Sequence, residues 1–161
     1  MKEYHGWTEI ELTINGGSRK AVVKPADTLL KVLREQLGLQ GPKLGCENGD
    51  CGACTVLADG VPVKSCMILA VECESTEITT IEGLKETPVQ QAFVEEAGFQ
   101  CGYCTPGFVL NMHSLLRHHP QPDEETAREW LESNICRCTG YENIEKALRT
   151  AVRKEERSQS E

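Results

Sequence analysis

A chain of 161 residues with a formal net charge of −8 and nine cysteines has room for one domain or two small ones. The acidic balance argues against a nucleic-acid partner, which needs Lys and Arg clustered on one face. No apolar run approaches the ~20 residues of a membrane span, and the longest, Met67 to Val71, is far shorter.

Residues Thr8 to Ile14 alternate, with Ile10, Leu12 and Ile14 on one face and Glu9, Glu11 and Thr13 on the other, the pattern of a half-buried strand. Asn15-Gly16-Gly17 supplies a tight hairpin turn, and Ser18 to Lys24 reads as the returning strand. Asp27 or Thr28 then caps a helix with Leu29, Leu30, Leu33 and Leu37 as its apolar stripe and Gly38 at its end. A short hairpin is expected from Thr55 to Ala58 and Val61 to Lys64 around Asp59-Gly60, and a last strand at Glu77 to Ile81. This order suits a β-grasp arrangement, a mixed sheet curled over one helix.

From Thr87 the pattern is helical only. Thr87-Pro88 is a cap followed by proline at the first helical position, with Val89, Ala92, Phe93 and Ala97 on one face. Thr105-Pro106 repeats that start, and Phe108, Val109, Met112, Leu115 and Leu116 form the next stripe. Asp123 caps a third helix through Ala127, Trp130 and Leu131. A fourth begins near Glu142 and carries Ile144, Ala147, Leu148 and Ala151. The expected architecture is therefore α+β, a ferredoxin-like β-grasp domain over residues 1–84 and a four-helix bundle over residues 85–161. The boundary lies at Glu82 to Glu86, and the charged tail Arg153 to Glu161 is expected to fray.

The chemistry lies in the cysteines. Glu3, His5, Glu9 and Glu11 stand where a secretory signal would be basic and then apolar, which predicts a cytoplasmic location. An odd number of cysteines there fits metal better than a disulfide framework. Cys46, Cys51 and Cys54 have the plant-type ferredoxin spacing, in which a fourth thiolate arrives from further along the chain. On spacing alone Cys66 and Cys73 both qualify, and a small buried thiol is the alternative role for Cys73. A second set, Cys101 with Cys104 and Cys136 with Cys138, falls in two loops at one end of the expected bundle, where both pairs can meet on one cluster. Each half is about eighty residues, a size at which a metal that pins loops together also stabilises the fold.

The four histidines are not needed as ligands, and His118 and His119 suit a helix C-terminus. Trp130 and Phe108 sit at core spacing. Arg137, between two cysteines, either places positive charge beside a cluster or is simply solvated. No nucleophile and base pair, phosphate loop, flavin or nicotinamide fingerprint is present. Two rivals remain: a structural zinc protein with two four-cysteine sites, and a free-standing two-cluster ferredoxin.

The segments Cys46-Glu-Asn-Gly-Asp-Cys51-Gly-Ala-Cys54 through Lys64-Ser-Cys66, Gln100-Cys101-Gly-Tyr-Cys104-Thr-Pro-Gly, and Ile135-Cys136-Arg-Cys138-Thr-Gly-Tyr141 together resemble the iron–sulfur small subunit of the molybdenum hydroxylases. The resemblance covers about residues 8 to 152. It implies one [2Fe-2S] cluster on Cys46, Cys51, Cys54 and Cys66 in the β-grasp domain, with Cys66 and not Cys73 as fourth ligand. It implies a second on Cys101, Cys104, Cys136 and Cys138 in the helical domain. By the same resemblance Gln100 contacts the pterin of a molybdopterin-bearing large subunit, the alternative being an ordinary solvated loop residue, and a medium subunit carries FAD. Two such heterotrimers are expected to pair. The implied role is to pass electrons singly from molybdenum to flavin during oxidation of a purine such as xanthine, an aldehyde, an N-heteroaromatic compound or carbon monoxide.

Overall fold

The structure, a computed structural model, describes residues 3–159. Strands β1 (Thr8–Ile14) and β2 (Gly17–Val23) form the first hairpin, turned at Asn15 and Gly16, both with positive φ. β3 (Thr55–Ala58) and β4 (Val61–Lys64) form the second, turned at Asp59 and Gly60. β5 (Glu77–Thr79) lies between the hairpins, parallel to β1 and antiparallel to β3, which gives a mixed sheet in the order β2-β1-β5-β3-β4. This last strand is two residues shorter than its apolar pattern suggests, because Ile81–Gly83 turns into a short 3-10 helix.

Helix α1 (Leu29–Lys31) is capped by Thr28, whose hydroxyl accepts from the Lys31 N–H. It continues as a π turn over Val32–Gln36, with Leu37 N–H bonded to Val32 O at 3.1 Å. Both helix types keep the leucines on one side. Leu29, Val32 and Leu33 join Ile10, Leu12, Ile14, Val23, Val56 and Ile78 in one apolar core. The capping choice is settled by Asp27, which instead binds the Lys24 N–H and the Lys31 ammonium, each at 2.8 Å.

A second core belongs to helices α2 (Pro88–Glu95), α3 (Thr105–His118), α4 (Glu124–Glu132) and α5 (Glu142–Gln159). Val89, Phe93, Phe108, Met112, Leu115, Ile144, Ala147 and Leu148 fill it. Thr87 and Asp123 cap their helices as their positions predict. Two expectations change. α5 runs through the tail to Gln159, with Lys154 Nζ 2.7 Å from Glu95 Oε1; the rest of the expected frayed tail, residues 160–161, lies outside the described residues. Residues 82–86 are also more than a linker, since Glu82 accepts the Gly41 N–H at 2.7 Å and Leu84 packs on the helical core.

α3 joins the two cores. Its expected stripe faces the helices, but Leu110, Asn111 and Ser114 are buried as well. α3 also packs toward β3 and β4, where Ser114 Oγ donates to Gly60 O at 2.7 Å, while Asn111 Nδ2 donates to Ser133 Oγ at the end of α4 at 2.9 Å. The buried polar side chains Asn111 and Ser114 are thus hydrogen-bonded, as burial requires.

Candidate metal centres

The first cysteine loop leaves the sheet and returns to it. Cys54 immediately precedes β3, and Cys66 follows β4 with Ser65 between. Because Thr55 pairs with Lys64, the antiparallel register brings the two thiols together, and their sulfurs are 3.4 Å apart. Cys46 and Cys51 meet at the other side of the loop, where the Cys51 N–H donates to Cys46 Sγ at 3.3 Å. Gly45 is necessary there, since a Cβ on it would lie 2.7 Å from Cys51 Sγ.

The second set is built the same way from helix ends. Cys104 is the N-terminal flank of α3, and Cys136 and Cys138 lie in the loop between α4 and α5. Cys101 and Cys138 sulfurs stand 3.6 Å apart, and Cys104 hydrogen-bonds Cys136. Thr139 Oγ1 donates to Cys136 Sγ at 3.2 Å, and the Cys136 N–H donates to the Tyr141 hydroxyl, also at 3.2 Å.

Electrostatics divide the thiols. Backbone N–H groups of Asn48 and Cys51 lower Cys46 to about 7. Burial, then the neighbouring Cys54 thiol, pushes Cys66 up to about 11. Burial, then Cys136, pushes Cys104 up to about 12. At Cys136 burial acts upward too, but the Thr139 hydroxyl and N–H outweigh it and the net direction is down. Binding a metal at the raised thiols must therefore release protons.

Both sets present their sulfurs in pairs. Among the described residues no three Cys, His, Asp or Glu side chains converge on a point for a single ion. Sulfurs 3.4 Å and 3.6 Å apart are spaced as two thiolate ligands of one tetrahedral metal are, and two such pairs could hold the two irons of a [2Fe-2S] group.

The two loops touch. Ile135 N–H donates to Cys51 O at 2.9 Å, and Asn134 Nδ2 donates to Gly52 O at 2.9 Å. Lys64 Nζ reaches Ser133 O at 2.5 Å. Gly107, in the first turn of α3, lies so close that a Cβ would sit 2.3 Å from Gly52 O. Tyr103 Oη donates to Leu44 O at 2.5 Å.

Comparison with known proteins agrees with this two-site construction. Residues 12–78 match the model of the 2Fe-2S iron-sulfur cluster binding domain, and residues 80–149 match that of the [2Fe-2S] binding domain. The nicotinate dehydrogenase small FeS subunit of Eubacterium barkeri is 44% identical over 147 residues, covering 89% of this chain and 94% of that protein. The chain belongs to the iron–sulfur small subunits of the molybdenum hydroxylases. A probable xanthine dehydrogenase component of Bacillus subtilis (strain 168) is 42% identical, covering 90% of this chain and 84% of its own. Among solved structures, quinoline 2-oxidoreductase from Pseudomonas putida 86 superposes with a TM-score of 0.88 at 41% identity, covering 94% of this chain and 97% of that one.

This small subunit thus carries two [2Fe-2S]-binding domains, and its relatives are components of larger dehydrogenases. No helix among its described residues is long and apolar enough to cross a membrane. Cys73 is apart from both sets. It is buried in the first core, its Sγ lies 3.5 Å from Leu69 O, and burial pushes it up to about 11. His118 binds the α3 backbone at Ser114 O and, with His119, lies against Trp130. Gln100 and Arg137 are exposed. Sequence reasoning missed Lys64, Asn134, Tyr103 and Gly107 as the junction between loops. A glycine in the first turn of an otherwise apolar helix was the one available signal, since such a glycine marks close backbone approach.

Proposed function

We propose that Cys46, Cys51, Cys54 and Cys66 hold one [2Fe-2S] cluster and that Cys101, Cys104, Cys136 and Cys138 hold the other. Within each set the thiols would share the irons as the observed pairs: Cys46 with Cys51, Cys54 with Cys66, Cys101 with Cys138, and Cys104 with Cys136. The first lies in a β-grasp unit over residues 1–84 and the second in a four-helix bundle over residues 85–161, divided within Glu82 to Glu86. The existence of two apolar cores supports this division.

The observation that carries the electron-relay reading is the hydrogen bond from Ile135 N–H to Cys51 O. Ile135 immediately precedes Cys136, so one hydrogen bond and a few covalent bonds join a thiol of one set to a thiol of the other. A [2Fe-2S] group supplies one-electron redox chemistry when bound. The chain's own residues hold the two thiolate sets adjacent, donate hydrogen bonds to their sulfurs and bury Cys54 and Cys136 away from water.

The helical set faces a large molybdopterin-bearing subunit, which Gln100 contacts, and the first set faces a medium FAD subunit. The complex is a cytoplasmic dimer of heterotrimers that oxidises a purine such as xanthine. Relatives named for nicotinate and quinoline make an N-heteroaromatic compound the alternative substrate. Supporting this, Gln100 and the exposed Phe99, Tyr103 and Ile135 surround the second set and are open to a partner. Isolation from the native host tests the reading. The expected result is a complex with two larger chains, molybdenum and FAD, reduced by xanthine; a lone small protein contradicts the partner assignment, and reduction by nicotinate alone contradicts the substrate.

A further inference from the structure

Lys64 is the last residue of β4, opposite Thr55 in the sheet. It is half-buried. Its ammonium donates to Ser133 O at 2.5 Å and lies 3.4 Å from Thr55 Oγ1. Lys20, Lys31, Lys146 and Lys154 each have a carboxylate within ion-pair reach, but among the described residues Lys64 has none. Its strand partner Thr55 directly follows Cys54, and Cys66 lies two residues beyond Lys64 itself; burial pushes the ammonium's pKa down, and the sulfurs of Cys54, Cys51, Cys66 and Cys46 act in the opposite sense. A half-buried ammonium with no carboxylate is unfavourable unless an anion is supplied nearby. Four thiolates on a metal cluster supply it.

We propose that Lys64 is a positioning residue whose fixed positive charge raises the reduction potential of the cluster at the first cysteine loop, while its bond to Ser133 ties that loop to the second. The inference rests on the assignment of Cys46, Cys51, Cys54 and Cys66 as cluster ligands. The balance is simple. One electron arriving adds one negative charge to the thiolate-bound group, no proton or bond is exchanged, and an adjacent cation poorly screened by water favours the more negative state. The exposed Arg137 has no comparable burial.

The test is a redox titration of the full chain loaded with iron and sulfide, followed by electron paramagnetic resonance, with parallel iron analysis. Lys64→Met removes the charge at similar length, Lys64→Gln removes it but keeps a donor for Ser133, and Lys64→Arg keeps it. The two uncharged variants are expected to lower the midpoint of one spin signal by about 59 mV, a tenfold change in a one-electron equilibrium, and to leave the other signal in place. Lys64→Arg is expected to stay close to wild type. Full iron content with an unmoved midpoint in either uncharged variant overturns the proposal, as does an equal shift in all three. A wild-type chain that takes up no iron and sulfide overturns the ligand assignment itself, a failure distinguishable from an unmoved midpoint.

Discussion

The N–H of Ile135 lies 2.9 Å from the carbonyl oxygen of Cys51, although 84 residues separate them in sequence. Residues flanking the two thiol sets are thus bonded through their peptides, and the geometry of one loop depends on the other. Asn134, buried at 2% exposure, repeats the link one residue earlier by donating to Gly52 O.

Asn134→Ala is expected to destabilise the chain by about 1–2 kcal/mol, the net value of one or two buried hydrogen bonds. Gly52 O keeps Thr55 as a partner, which limits the loss. Gly107→Val is expected to cost more, about 1–3 kcal/mol for overpacking, because its Cβ meets a backbone oxygen that cannot swing away. Urea unfolding of the iron-loaded variants reads both, and an unchanged midpoint in Gly107→Val would contradict the close approach of α3.

Cys51→Ala and Cys104→Ala should each abolish a different spin signal and halve the iron content. Cys73→Ala should keep both signals, since its sulfur sits in the apolar core, and should lower stability by about 1 kcal/mol through lost packing. Loss of a signal in the Cys73 variant would show that it is a ligand.

Asp27 accepts from the Lys31 ammonium and the Lys24 N–H, which hold its carboxyl below the ordinary 3.8. The folded value is the lower one, so its contribution is fully present above about pH 4 to 5 and is lost as pH falls through the folded value. Asp27→Asn should therefore be less stable than wild type by about 1–2 kcal/mol near neutrality, with the gap closing below pH 4. Chemical denaturation across that range checks it; a gap that widens on acidification would contradict the assignment.

Much of the fold was legible because local patterns carry it. The alternation of Ile10, Leu12 and Ile14 and the Asn15-Gly16 turn place the first hairpin, and Thr87 and Asp123 announce their helices through side chains that accept N–H groups. The π turn after Lys31 was not legible, since leucines at 29, 30, 33 and 37 suit either helix. Nor was the second buried face of α3, because Asn111 and Ser114 look solvent-facing until the end of α4 is brought against the first and Gly60 against the second. Cysteine spacing marked Cys46, Cys51 and Cys54 and the pairs of the second set, but left Cys66 and Cys73 open, and only the family resemblance chose Cys66. The junction that Lys64, Asn134 and Gly107 make depends on contacts between distant residues, and no period or cap in the sequence records them.

The most direct measurement is a visible absorption spectrum with iron and acid-labile sulfide analysis on anaerobically prepared protein, followed by electron paramagnetic resonance after dithionite reduction. Two [2Fe-2S]-binding domains predict four irons and four sulfides per chain and two distinct spin signals. A colourless protein holding two zinc ions would contradict the electron-relay account and leave the eight cysteines as structural staples.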